Sequence, residues 1–242
     1  MHITSIDKTS VRLLSATDND LETVMTAMQP EIERLFERAQ KAQQTYEENG
    51  TQRRFDLAAQ AVAWALIEPK RNVELAKLAV AETGLGNVND KIIKNHRKTL
   101  GLLRDIKDQK SFGLVKDNPI TGISEFLRPK GVIAAIVPST NPLATPVNNT
   151  INALKTGNAI ILAPSPKGVA PLKKLLTYIH AEFDRIGLNH DLVQMVPDPP
   201  SKDKTARLMQ LADMLVVTVR KIMYEQLIHL APQLLGLARV ML

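Results

Sequence analysis

The 242-residue sequence contains no cysteine, which excludes disulfides, cysteine-ligated metals and a thiolate nucleophile drawn from these residues. The same absence suits a reducing cytoplasm, the expected location. Five histidines (His2, His96, His180, His190 and His229) are scattered without HxxxH or HxH spacing, so a metal centre finds no support. Aromatic residues make up 4% of the chain, too few for the stacking platforms that grip single-stranded nucleic acid. No apolar run approaches the roughly 18 residues that a membrane-spanning helix requires. The opening MHITSIDKTSVRLL lacks the ordered basic, apolar and cleavable regions of a secretory leader. Neither a membrane nor a nucleic-acid partner is expected.

What is present is ordinary for a globular protein: 44% hydrophobic and 23% charged residues, enough for one large core or two modest ones. The formal net charge of +6 is not gathered into a basic patch. Lys and Arg alternate with Asp and Glu, as in Glu31, Glu33, Arg34, Glu37, Arg38 and Lys41, which is the pattern of a solvated helix face.

Residues 1–110 read as a helical amino-terminal region. Asp18 or Asp20 caps a first helix in which Leu21, Val24, Met25, Met28, Ile32, Leu35 and Phe36 follow helical spacing, with Pro30 a candidate kink and Asn49-Gly50 a stop. Thr51 restarts a second helix with Phe55, Leu57, Ala58, Ala61, Val62, Ala65 and Leu66 inward. Pro69 opens a third that ends at Thr83-Gly84, and a fourth spans Val88 to Lys107. Residues 111–130 change to short β-prone runs around Asp117-Asn118-Pro119, predicting an antiparallel hairpin.

Residues 131–218 carry the most information. The stretch GVIAAIVPSTNPLATPVNNTINALKTGNAIILAPSPKG, Gly131 to Gly168, reads as strand, Pro/Asn-rich turn, helix, strand and a second Pro-rich turn. The unbroken apolar runs Ile133–Val137 and Ala159–Leu162 suit strands covered on both faces, joined by a right-handed βαβ crossover. Asn148, Asn149, Asn152, Lys155 and Asn158 mark the polar side of the intervening helix. A helix near 168–186, a strand 192–196, a helix 202–211 and a strand 214–218 complete the pattern. The expected fold class is α/β: a helical amino-terminal region and β-hairpin leading into a Rossmann-like parallel sheet, as an incomplete domain.

Ligands of open α/β sheets bind beyond the carboxyl ends of the strands. Asn141 stands there directly after a buried strand, in a loop stiffened by Pro138 and Pro142. Its amide donates without proton bookkeeping and suits an oxyanion hole. An Asx turn or a cap on the following helix accounts for it equally well. Ser165 precedes a helix whose amino end near Lys167-Gly168 could face a phosphate or ribose, although an ordinary strand-to-helix turn is the simpler local reading. Val196-Pro197-Asp198-Pro199-Pro200 forms a third turn on the same expected edge. Converging, the three would build a nucleotide cleft, yet no GxGxxG is present.

The segment Arg128–Gly168 resembles the aldehyde dehydrogenase superfamily, specifically its coenzyme A-acylating branch, and the likeness runs from about residue 20 to 218. Non-acylating members carry a Trp-Asn-Phe-Pro loop where this chain has Ser139-Thr140-Asn141-Pro142. The resemblance implies that Asn141 stabilises the oxyanion of a thiohemiacetal. It implies that Ile136, Val137, Pro138 and Ser139 line the nicotinamide side, and that Ala163, Pro164, Ser165 and Pro166 contact the adenosine ribose. Pro197 and Thr218 are expected in the same cofactor-binding group. Many relatives have a lysine at position 163 and a glutamate at 166, so the choice between NAD and NADP stays open. The implied reaction joins a small-molecule aldehyde, NAD or NADP, and coenzyme A as co-substrate through a cysteine thioester. The family forms homo-oligomers; the segments responsible are absent from this chain, so assembly is not expected to transfer to it.

Two departures matter. The chain has no cysteine, and after Thr218 it reads VRKIMYEQLIHLAPQLLGLARVML where the family continues into Gly-Ser and a cofactor loop. Regrouping permitted codons from the third base of the Val219 codon yields a continuation containing SSGTPAIGVGAGN, close to the family's. Residues 219–242 are therefore expected to be an out-of-frame tail, and the chain a truncated, inactive amino-terminal part of the enzyme. The competing reading of the tail is a natural amphipathic helix. The competing reading of the whole is a non-catalytic nucleotide-binding or interaction protein on the same half fold.

Overall fold

The computed structural model describes residues 18–218, with side chains from residue 30 onward. The expected out-of-frame tail, residues 219–242, lies outside the described residues.

Helix α1 (Asp18–Glu48) continues through Pro30 without interruption. Its residues Ile32, Leu35, Phe36, Ala39, Ala42 and Tyr46, at spacings of three and four, form one buried stripe. Helix α2 (Gln52–Ile67) begins at Thr51, whose hydroxyl accepts the Arg54 N–H at 3.1 Å. Pro69 opens α3 (Pro69–Thr83), where the Glu68 carboxylate accepts the Arg71 N–H at 2.8 Å. Helix α4 (Val88–Ile106) is capped by Asn87, which accepts from Asp90 N–H at 2.9 Å. The predicted hairpin is present as antiparallel β1 (Gly113–Asn118) and β2 (Ile123–Leu127), and Ile120, Ile123 and Phe126 stand exposed on it.

The α/β part runs β3 (Val132–Val137), α5 (Ala144–Lys155), β4 (Ala159–Pro164), α6 (Val169–Ile186), β5 (Val193–Met195), α7 (Lys202–Leu211) and β6 (Met214–Val217). The strands form one sheet in the order β5-β4-β3-β6, every pair parallel. Strand β4 is buried along its whole length, as both-face coverage of a continuous apolar run requires. With crossovers of one hand, as parallel strands favour, α5 and α6 share one face, while the return from β5 across to β6 sends α7 to the other, where α1 packs beside it. Helix α2 lies over α5 and α6 as a further layer, so it buries residues on most of its circumference. One continuous apolar core joins α1 and α2 to the sheet and its helices.

Gly131 fixes the entry to β3. Its φ is +127°, and a Cβ there would lie 2.2 Å from Asp213 Oδ2, the atom that accepts the Val132 N–H at 2.8 Å. Only glycine lets the backbone approach that carboxylate in this conformation.

Three expectations are corrected. Leu57, expected inward, is 44% exposed; α2 directs its other sides at α5 and α6 and leaves Leu57 and Trp64, seven residues apart, on the uncovered arc. Lys155 is only 5% exposed, because α2 covers the last turn of α5; the ammonium pairs with Asp56 at 2.5 Å. Asn158 is also buried: its side-chain oxygen accepts the N–H groups of Lys130 (2.6 Å) and Gly131 (3.0 Å), fastening the approach to β3.

Candidate active site

Because all four strands are parallel, their carboxyl ends open on one edge. Successive crossovers go from β3 to β4 to β5 and then return to β6 on the far side of β3, so the direction reverses between β3 and β6. That switch point is where a crevice opens in folds of this kind.

The register places Ile136 between Ala163 on one neighbour and Val217 on the other, and Val137 opposite Pro164. Val137, Ala163 and Pro164 are buried and shape the strand ends from within, whereas Ile136 is half-buried. Pro138 and Ser139 leave β3 half-buried; Pro197 leaves β5 likewise, and Thr218 follows β6 exposed. Pro166 is exposed at the start of a short 3-10 turn, Pro166–Gly168, that feeds α6. The sheet therefore collects all the sequence-derived candidates on one edge, although they span positions 136 to 218 in the chain.

Asn141 is half-buried, and its backbone N–H reaches Pro138 O at 3.4 Å. The amino cap of α5 is Leu143, with no side-chain capping bond. Among the described residues the Asn141 side chain makes no hydrogen bond, neither a cap nor an Asx turn. Its amide is thus unengaged among the described residues, in the loop that leaves β3 beside the switch point.

The β4 end is tighter. Ser165 N–H continues the ladder onto Val137 O at 3.1 Å, while its hydroxyl is shielded and has no partner among the described residues. A Cβ on Gly168 would stand 3.2 Å from that hydroxyl and 3.4 Å from Pro142 Cβ, so a larger residue would crowd the junction of the β3 and β4 loops. The missing Cβ of Gly168 thus lets the loops leaving β3 and β4 pack against each other. Sequence reasoning placed Lys167-Gly168 at the amino end of a helix, but not the packing of Pro142 against Gly168, which appears only in the fold.

A groove of about 320 Å³ lies elsewhere, between α2 and α4, lined by Gln60, Leu100, Leu103, Ile106 and the Asp56–Lys155 pair. Lys155 ends α5, which returns to the amino edge of the sheet, so this groove is on the opposite side from the strand ends and its buried cation is already paired.

A profile of the aldehyde dehydrogenase family matches residues 4–219. The chain is 52% identical over 208 residues to the acylating sulfoacetaldehyde dehydrogenase of Cupriavidus necator, an alignment covering 84% of this chain and 42% of that enzyme. Its fold superposes on an acetylating aldehyde dehydrogenase from Geobacillus thermoglucosidasius with a TM-score of 0.77 at 29% identity, covering 84% of this chain and 44% of that one. It also superposes on Rhodopseudomonas palustris propionaldehyde dehydrogenase with bound CoA and an acylated cysteine, at a TM-score of 0.69 and 27% identity, covering 82% and 44%. The chain belongs to the aldehyde dehydrogenase family. Within it, the likeness is to the acylating dehydrogenases, and the chain spans less than half the length of these relatives.

Proposed function

We propose that the carboxyl edge of the β5-β4-β3-β6 sheet is the dinucleotide-binding half of an acylating aldehyde dehydrogenase, serving NAD(P)-dependent oxidation of an aldehyde to an acyl-CoA. The observation that carries this reading is the Asn141 amide, half-exposed and without a hydrogen-bond partner among the described residues, at the switch point of the sheet. The dinucleotide would supply the hydride acceptor. Ile136, Pro138 and Ser139 would hold its nicotinamide end, and Ser165 and Pro166 its adenosine ribose, with Pro197 and Thr218 flanking. Asn141 would donate to the oxygen of the aldehyde as negative charge develops on it, an interaction of a kind worth roughly 3–4 kcal/mol in the transition state. Pro138 and Pro142 hold the donor in place beforehand, so little reorganisation is needed when the charge appears.

The thiolate that attacks the aldehyde and then passes its acyl group to coenzyme A cannot come from these residues, which include no cysteine. We therefore expect the purified 242-residue chain to bind NAD(P) but not to turn over. Sulfoacetaldehyde is the aldehyde to offer first, since the relative at 52% identity is named for it. Continuous NAD(P)H formation from that aldehyde, coenzyme A and the pure chain would overturn the assignment of the nucleophile to another part. Failure of both dinucleotides to bind in calorimetry would overturn the assignment of the cleft. The same absence of cysteine favours a second reading, a non-catalytic nucleotide-binding protein on this half fold, which saturable binding would support if no cysteine-bearing remainder restored turnover.

A further inference from the structure

The segment that carries β5 into α7, Pro197-Asp198-Pro199-Pro200, borders the edge where the strands end. Three of these four residues are prolines, so Asp198 alone has a backbone N–H with which to tie the loop down. Among the described residues one hydrogen bond reaches the backbone of this loop: the Lys204 ammonium donates to Pro197 O at 3.2 Å. The same ammonium pairs with Glu31 of α1 at 3.1 Å. The Lys204 side chain is 4% exposed and that of Glu31 40%, so the cation is closed in while its partner keeps water. Beyond the loop Ser201 caps α7, its hydroxyl accepting the Lys204 N–H at 3.1 Å. One residue thus fastens both ends of the loop. Holding α7 to α1 does not account for a buried cation. An apolar side chain of similar volume would pack there at least as well, without taking an ammonium out of water. Arg207 and Glu33 already pair across the same two helices. What an apolar residue could not do is donate to Pro197 O.

We propose that Lys204 is a positioning residue for the dinucleotide, holding the Pro197 loop at the sheet edge in the shape that the cofactor meets. The inference rests on reading that edge as the dinucleotide cleft. Closed to solvent, Lys204 acts through the loop and not on the ligand. A loop held before binding loses less freedom when the ligand arrives. The effect therefore falls on NAD and NADP alike. It also persists as salt rises, because a buried contact is screened far less than an exposed charge.

The test is calorimetric titration of the full chain with NAD and with NADP, at low and at physiological ionic strength, alongside a thermal melt of each variant. Lys204→Met keeps the aliphatic stem and removes the donor; it should weaken both dinucleotides by about fivefold or more, by the same factor at either salt. Glu31→Gln cuts the charge pair but keeps an acceptor for the ammonium and leaves the Pro197 bond in place. It should hold both affinities within about twofold even where its melting temperature falls. Pro200→Gly loosens the same loop without touching the ion pair and should reproduce the loss seen in Lys204→Met. If the parent binds and Lys204→Met binds equally well, or Glu31→Gln loses as much as Lys204→Met, the positioning role is overturned and the cleft stands. A loss that disappears with salt overturns it too, since Lys204 would then act as a charge. Should Lys204→Met not fold, Pro200→Gly decides, and full affinity in that variant overturns the proposal. If the parent binds neither dinucleotide, the cleft itself is wrong and the positioning role falls with it.

Discussion

Lys155, at the last turn of α5, and Asp56, in the second turn of α2, are joined by a 2.5 Å ion pair that is almost closed to solvent on the lysine side. Gln52 also donates to the same Asp56 oxygen at 2.9 Å. The pair clamps the outer helix layer onto the crossover that leads from β3 to β4.

Removing one partner strands the other. Asp56→Ala should lower unfolding free energy by about 2–3 kcal/mol, near the low end for buried pairs because the aspartate is partly exposed. Lys155→Met retains the aliphatic volume and leaves Asp56 its Gln52 donor, so a loss of about 1 kcal/mol is expected. Urea titration of both variants checks the order; a larger loss for Lys155→Met would show that the ammonium has structural partners other than Asp56.

Two glycines with positive φ should respond differently to alanine. Gly131→Ala drives a methyl group into Asp213 and should cost at least about 2 kcal/mol. Gly187 has φ +66° at the end of α6 and nothing within 4 Å of its would-be Cβ, so alanine there should cost about 1 kcal/mol. Thermal melts of the two variants measure the difference, and equal losses would remove the argument from close approach.

The two asparagines separate function from structure. Asn158→Ala deprives two backbone N–H groups of their acceptor in a buried corner and should cost about 2–3 kcal/mol. Asn141→Ala breaks no hydrogen bond among the described residues and should change stability by less than about 0.5 kcal/mol. A destabilised Asn141→Ala would mean that its amide serves the fold rather than a ligand.

His180 should make the protein acid-sensitive. Burial holds its imidazole below the ordinary value of 6.5; the Val193 carbonyl at 2.9 Å opposes that shift, and the stacked His190 ring at 4.4 Å reinforces it, while Asp184 and Asp191 oppose it. The unfolded chain thus binds the proton more readily than the folded one. The contribution of His180 is complete above pH 6.5 and is lost as the pH falls from there through the folded pKa. Urea midpoints at pH 7.5 and 5.5 should converge in His180→Gln relative to the parent; an unchanged gap would assign the sensitivity to another group.

Much of this architecture was written locally. Thr51, Pro69 and Gly84 punctuate the helices through capping and backbone geometry that act within a few residues, and the apolar runs of β3 and β4 announce strands covered on both sides. Asn141 could be singled out because a strand, two prolines and an amide lie next to one another in the chain. Whether its amide was free could not, since that depended on Leu143 taking the cap position. Lys155 and Asn158 differ from the periodic reading for the opposite reason: periodicity tells which side of α5 is polar, but not that α2, about a hundred residues earlier, closes over Lys155, nor that the segment entering β3 takes the Asn158 side chain. The role of Gly168 needed Pro142 beside it, and the stacking of His180 on His190 depended on how the chain turns after α6.

The position of α2 has a consequence for any attempt to isolate the cofactor half. Its residues Phe55, Ala58, Val62 and Leu66 are wholly enclosed, and α2 packs chiefly on α5 and α6, with Phe55 also against Tyr46 and Phe112. Cutting the chain between α4 and β3 would wet both halves of that seam at once. The helices that precede the hairpin are thus an inseparable wall of the sheet, and a minimal fragment carrying its proposed cofactor edge has to begin before residue 52.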